Sequence, residues 1–226
     1  MGDKKCLLLI GSPRGLKSSS YKTGNYLLQK MIDKGYSGET FKMKSLYNPD
    51  PEKLSLFFQY IEESELIILS CPLYVDSIPS FVIKGMELIA ERYQGHDTGF
   101  TGDRKHKFLA IVNCGFPESG QIDTAMRIMK RFAEEVNFHW SGGIKIGGGA
   151  AIGGQELEGN KGILSTLVKS LDQTVDGLTE DGEFSNDISL SLAPKWMYTT
   201  ILNVSWWFAA RKNKANKKLY DKPYQK

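Results

Sequence analysis

Apolar residues fall into two alternating kinds of run along the chain. Cys6 to Ile10 is continuously apolar and ends at Gly11, the pattern of a central strand covered on both faces. Leu66 to Leu69 and Phe108 to Val112 repeat it, and Thr40 to Met43 and His139 to Ile146 give weaker versions, so five strands are predicted. Between them the apolar positions take helical spacing: Leu27, Leu28, Met31 and Ile32; Leu54, Phe57, Phe58 and Ile61; Val82, Met86 and Ile89. Two further helical faces follow, Ala125, Ile128, Met129, Phe132 and Val136, then Ile163, Leu164, Leu167, Val168, Leu171 and Val175. Strand and helix in alternation imply βαβ units, right-handed crossovers and a parallel sheet. A polar, acidic stretch from Thr179 to Asp187 separates this body from a last, largely apolar segment, Leu192 to Ala210.

Length and composition sharpen this picture. The 226 residues suffice for one large domain, and 41% hydrophobic with 24% charged residues is ordinary for a globular chain. The net charge of +3 is uneven: Arg211 to Lys226 carries +6, leaving −3 on the preceding residues. A body without a basic stripe is not expected to bind nucleic acid. Cys6, Cys71 and Cys114 are widely spaced, with no pair or four-cysteine cluster that would hold zinc or iron and sulfur, so no metal is expected. The opening apolar run is too short for the core of a signal peptide, and a cytoplasmic protein is the expectation.

In an open parallel sheet, ligands bind beyond the carboxyl ends of the strands, so the loops there are the first candidates. Gly11 to Ser20 offers four hydroxyls (Ser12, Ser18, Ser19, Ser20), two cations (Arg14, Lys17) and backbone N–H groups just before a helix. That inventory suits a dianionic phosphate, since a helix N-terminus adds a partial positive charge. Plain helix capping by Ser18 to Ser20 is the alternative. The dinucleotide fingerprint is missing after the first strand, and the nearest approach to a Walker sequence reads Gly159-Asn160-Lys161. Gly147 to Gly149 follows the last strand and reads as a tight loop. A mononucleotide fits best.

At three loops in order, the chain resembles the flavodoxin-like NAD(P)H-dependent FMN reductases and quinone reductases. Gly11-Ser12-Pro13-Arg14 with the serines matches their phosphate loop. Ser70 to Ser80, with Pro72, Leu73 and Tyr74, is similar to the segment that lies along the flavin, although Val75 stands where many relatives carry an aromatic residue. Val112 to Glu118 occupies the position of their second flavin loop. The resemblance spans Lys5 to Leu178. It implies a flavodoxin-like doubly wound α/β sandwich with a five-stranded parallel sheet in residues 1–180, followed by a C-terminal helical extension in 181–226. It also implies FMN as cofactor, NAD(P)H as co-substrate, a quinone, free flavin or similar small acceptor, and a homodimer. The implied cofactor-binding residues are Ser12, Arg14, Ser18, Ser19, Ser20, Pro72, Leu73, Tyr74, Val75, Asn113, Cys114, Gly115 and Phe116.

The residues support this independently. Pro72, Tyr74 and Phe116 can form an apolar slot, and Asn113 to Gly115 offer polar backbone for the edge of a flavin; ordinary core or rim packing is the alternative for Tyr74 and Phe116. A flavin needs no side-chain nucleophile, so no catalytic residue is assigned. His106 and His139 begin strands, away from that end of the sheet, and His96 lies in a polar loop. Cys71 and Cys114 follow strands but are expected to be small buried hydrophobes. Arg14 and Lys17 can serve either FMN or the 2′-phosphate of NADPH. A flavodoxin-like electron carrier and a non-redox phosphate-binding module are the competing readings.

Only 15 residues separate Lys195 from Arg211, fewer than the roughly 20 of a spanning helix. The expectation is a helix packed over the domain or a dimer partner, with Trp206, Trp207 and Phe208 near the substrate; weak peripheral membrane contact is the alternative. Relatives carry a similar extension, matched here by Ala210-Arg211-Lys212-Asn213.

Overall fold

A central strand buried on both faces must alternate its side chains between two cores, and β1 (Lys5–Ile10) does so. Cys6, Leu8 and Ile10 enter one core with Leu27, Leu28 and Met31 of α1 (Ser19–Asp33) and Leu167, Leu171 and Val175 of α5 (Ser165–Thr179). Leu7 and Leu9 enter the other, built from Phe57 and Ile61 of α2 (Pro51–Glu63), Val82, Met86 and Ile89 of α3 (Ser80–Gln94) and Met129 and Phe132 of α4 (Asp123–Glu135). β3 (Leu66–Pro72) and β4 (Lys107–Asn113) alternate in the same way. The computed structural model describes residues 4–94, 106–153, 155–162, 164–179, 188–191, 195–219 and 221. His96, Ile163, Leu192 and most of the acidic stretch before Asp187 lie outside them.

All pairings in the sheet are parallel, in the order β2-β1-β3-β4-β5-β6. The five expected strands form the 2-1-3-4-5 core, and β2 (Ser37–Lys42) is a largely exposed edge, starting three residues earlier than its apolar content suggests. A sixth strand, β6 (Ile188–Ser191), extends the opposite edge along β5 (His139–Gly147); the sequence reading did not anticipate it. Ile32 and Ile128, expected on buried helix faces, are 38% and 37% exposed at the borders of theirs. α6 (Lys195–Lys212) follows β6.

The chain runs outward from β1 to β2 and then crosses back to β3, so the loops after β1 and β3 diverge and leave a crevice between them. Gly11, just beyond β1, makes this possible: a Cβ there would sit 2.5 Å from Cβ of Cys71 and 2.7 Å from Cγ2 of Val82. At the other end of the sheet, His106 shares a hydrogen bond of 2.6 Å with the Ser64 carbonyl through Nδ1 and one of 3.0 Å with the Tyr93 hydroxyl through Nε2. It packs edge-on to Phe138 and, with Tyr93, closes the core there.

Candidate flavin site

The loops after β1, β3 and β4 converge on a cavity of about 200 Å³ at the crevice. Its walls include Ser12, Arg14, Ser18, Ser19, Ser20, Pro72, Leu73, Tyr74, Asn113, Cys114 and Gly115. Gly149 and Ala150 complete them, and the sequence reading had not assigned these two. A signal for them was present, since Gly147 to Gly149 follows a strand whose carboxyl end faces the same crevice. Larger clefts beside α4 and beside α1 do not gather these loops, and ion pairs cross them, Lys145 with Asp123 at 2.7 Å and Lys30 with Glu158 at 3.2 Å.

The serines ahead of α1 have settled partners. Ser18 caps the helix: its Oγ accepts from the Tyr21 amide at 3.0 Å and donates to the Gly15 carbonyl at 2.6 Å. Ser19 donates to the Gly149 carbonyl at 2.9 Å, and Ser20, fully buried, donates to Oδ1 of Asn113 at 2.7 Å. Ser70 donates to the Ser20 carbonyl at 2.7 Å, tying α1 to β3 as well. Capping and phosphate binding are therefore not exclusive: the hydroxyls hold the helix end in place, and the first-turn amides of Ser19 and Ser20 have no acceptor within the helix. Arg14 and Lys17 are exposed and form no ion pair among the described residues, so both cations are available to an anion.

The second loop makes a tight hairpin. Tyr74 and Ser77 exchange backbone hydrogen bonds of 2.8 and 3.1 Å across Val75 and Asp76, whose φ angles are 47° and 61°. Two consecutive positive φ values mark a type I′ turn, and a β-branched residue there is strained. Val75 is 97% exposed and does not line the cavity, so the reading that placed it against the cofactor is not supported by this geometry. Tyr74 (46% exposed) and Phe116 (58%) belong to neither core; Tyr74 lines the cavity, while Phe116 stays outside it. Val75→Gly is expected to stabilise the protein by about 1 kcal/mol, measured by urea denaturation, because glycine relieves the left-handed strain; a loss of stability would show that the valine is held there by contacts.

Burial raises the Cys114 thiol pKa, with its backbone hydrogen bonds opposing in part, and Sγ lies 3.2 Å from the Phe116 carbonyl. Full burial raises Cys71 too. Neither thiol is presented as a thiolate, in keeping with packing rather than redox chemistry. From α6, the Tyr198 hydroxyl lies 3.7 Å from where a Cβ on Gly115 would sit. Trp206, Trp207 and Phe208, expected near the substrate, do not line the cavity; they are 61, 44 and 61% exposed.

No family model matches the chain, and no curated protein matches its sequence. Solved structures match its fold. The Trp repressor binding protein of Bacillus subtilis superposes with a TM-score of 0.54 at 10% identity, over 76% of this chain and 99% of its own. The FMN-dependent NADH-azoreductase of Bacillus anthracis, in complex with FMN, gives 0.53 at 15% identity over 78% and 100%. The NAD(P)H:quinone oxidoreductase of Methanothermobacter marburgensis gives 0.52 at 11% identity over 78% and 97%. With this sheet order, the chain has the flavodoxin-like α/β fold that these proteins share.

Proposed function

We propose that the protein is an FMN-dependent NAD(P)H oxidoreductase that passes electrons to a small acceptor such as a quinone or a free flavin. The observation that carries this reading is the convergence of the phosphate-type loop with the Pro72 and Asn113 loops on one cavity at the strand-order reversal. The donor set fits FMN. The α1 N-terminus, Arg14 and Ser12 would hold the phosphate, joined by the Ser19 hydroxyl if it gives up its bond to the Gly149 carbonyl. Pro72, Leu73 and Tyr74 on one side and Asn113, Cys114 and Gly115 on the other would flank the ring. The flavin supplies hydride transfer; the protein's part is to bind, orient and limit water at the ring. The homodimer implied by the resemblance and the cytoplasmic setting expected from the cysteines and the N-terminal run belong to the same proposal.

Purified protein tests it directly. A flavin absorption spectrum, or tight uptake of added FMN, followed by rapid anaerobic bleaching with NADH or NADPH, is the expected result. Bleaching too slow for turnover would point to an electron carrier, and refusal of FMN would overturn the reading. Arg14→Ala is expected to weaken FMN binding about 10- to 100-fold in a fluorescence titration, the range for losing a charge-assisted contact to phosphate. Arg14 is exposed, so stability should hardly change.

A further inference from the structure

α6 leaves the body beside the candidate site and carries its apolar side chains into solvent. Its Tyr198 reaches Gly115, but Trp196, Ile201, Val204, Trp206, Trp207 and Phe208 are each between 44% and 71% exposed. At 3.6 residues per turn, all of these except Trp206 fall within an arc of about 140°. An exposed aromatic surface of this kind marks an interaction site. Charge identifies the partner. Nothing between Lys195 and Arg211 is charged, the helix then runs into Arg211, Lys212, Lys214, Lys217 and Lys218, and no Asp or Glu occurs from Lys195 to Leu219.

Tryptophan and tyrosine favour the headgroup level of a bilayer, and clustered lysines and arginines are drawn to anionic lipid. The uncharged stretch, at 1.5 Å per residue, is about 22 Å long and cannot cross the roughly 30 Å hydrocarbon layer. Accordingly, no helix among the described residues is long and apolar enough to span a membrane. A second copy meeting α6 with its own α6, or with the cleft beside α4, offers poorer complementarity. Two α6 helices have no acidic residue to set against each other's cations, and the cleft beside α4 is lined by Arg127, Lys130 and Lys145 against Asp123 alone.

We propose that α6 and the basic run after it dock the protein on an anionic lipid bilayer, with α6 lying in the headgroup zone and the candidate site next to the membrane surface. The docking does not depend on which ligand fills the cavity, and any homodimer then uses a face of the α/β body. The same position would suit an acceptor that partitions into lipid.

The test is flotation of the full-length protein with vesicles of equimolar phosphatidylcholine and phosphatidylglycerol, against vesicles of phosphatidylcholine alone. Binding is expected only to the anionic vesicles, with a blue shift of tryptophan emission and a steep decline as salt is raised. Each lysine neutralised should weaken binding about fivefold, so Lys212→Gln/Lys214→Gln/Lys217→Gln together should cost on the order of 100-fold. Trp207→Ser/Phe208→Ser should weaken flotation and shrink the blue shift, leaving what Trp196 and Trp206 report; these side chains are exposed, so circular dichroism of the body should be unchanged. Absence of flotation at low salt, or equal binding to both vesicles, would overturn the proposal. So would a folded dimer that Trp207→Ser/Phe208→Ser converts to monomer without any vesicle binding, which would assign the face to a second copy.

Discussion

Gly147→Ala should lower stability by about 3 kcal/mol, seen as a drop in Tm of about 6–12 °C for a chain of this size. Gly147 ends β5, and a Cβ there would sit 2.2 Å from the carbonyl oxygen of Pro117 and 2.8 Å from its carbonyl carbon. Those atoms are main chain in a loop already pinned by the 2.6 Å bond from the Gly148 amide to the Phe116 carbonyl, so no rotamer change relieves the clash. Gly24→Ala sets the scale. Its Cβ would meet Cδ1 of Leu8 at 2.5 Å, the end of a flexible side chain, and should cost less. Gly120→Ala, with nothing nearer than 4.0 Å, should be close to neutral. Because the displaced loop also carries Cys114 and Gly115, FMN affinity is expected to fall together with Tm in Gly147→Ala and in neither control. An unchanged Tm would mean that the Pro117 loop does not rest on β5 as described.

Gly147 also shows where the sequence was readable and where it was not. The cores were readable because each central strand feeds two helical layers, which leaves a continuous apolar run no polar chain neighbour can mimic; Cys6 to Ile10 needed nothing more. The site loops were readable because sheet topology confines ligands to the carboxyl ends of strands, so Ser12, Pro72 and Asn113 could be chosen by position as much as by type. Gly149 and Ala150 have no reactive side chain, and their part in the cavity comes only from the turn that folds them over Asn113. For Ser19 and Ser20 the hydroxyls were evident but their acceptors were not, since Gly149 and Asn113 lie 130 and 93 residues away.

The edges of the fold were the least readable. β6 is four residues long with two apolar positions, too little to register as a strand without the free edge of β5 to pair with. Val75 fell where a contact residue was expected, but the left-handed turn that points it to solvent is set by the Tyr74–Ser77 pairing, not by valine's own preference. α6 shows the same limit in reverse. The expectation placed it on the body or on a dimer partner; in the single chain its side chains from Ile201 onward are mostly exposed, and Tyr198 approaches the candidate site at Gly115.

Asn113 is where stability and ligand binding can be separated by substitution. Its Oδ1 accepts the buried Ser20 hydroxyl at 2.7 Å, and its carbonyl accepts the Leu73 amide at 2.8 Å, so one residue joins the phosphate-type loop, the Pro72 loop and β4. Asn113→Ala leaves the Ser20 hydroxyl buried without an acceptor and is expected to cost about 2 kcal/mol in urea denaturation. The loosened α1 N-terminus should weaken FMN binding as well. Asn113→Asp keeps an acceptor for Ser20 in nearly the same volume, so it should stay closer to the parent in stability. It nevertheless places a carboxylate at a buried position bonded to Ser20, at the α1 N-terminus proposed to hold the phosphate, and like charges repel more there than in bulk solvent. FMN affinity is therefore expected to fall about 10-fold or more in Asn113→Asp despite the smaller stability loss. Lowering the pH enough to protonate the introduced carboxyl should restore part of it. If Asn113→Asp binds FMN as the parent does while Asn113→Ala is destabilised, Asn113 is a strut of the fold and the anion lies elsewhere.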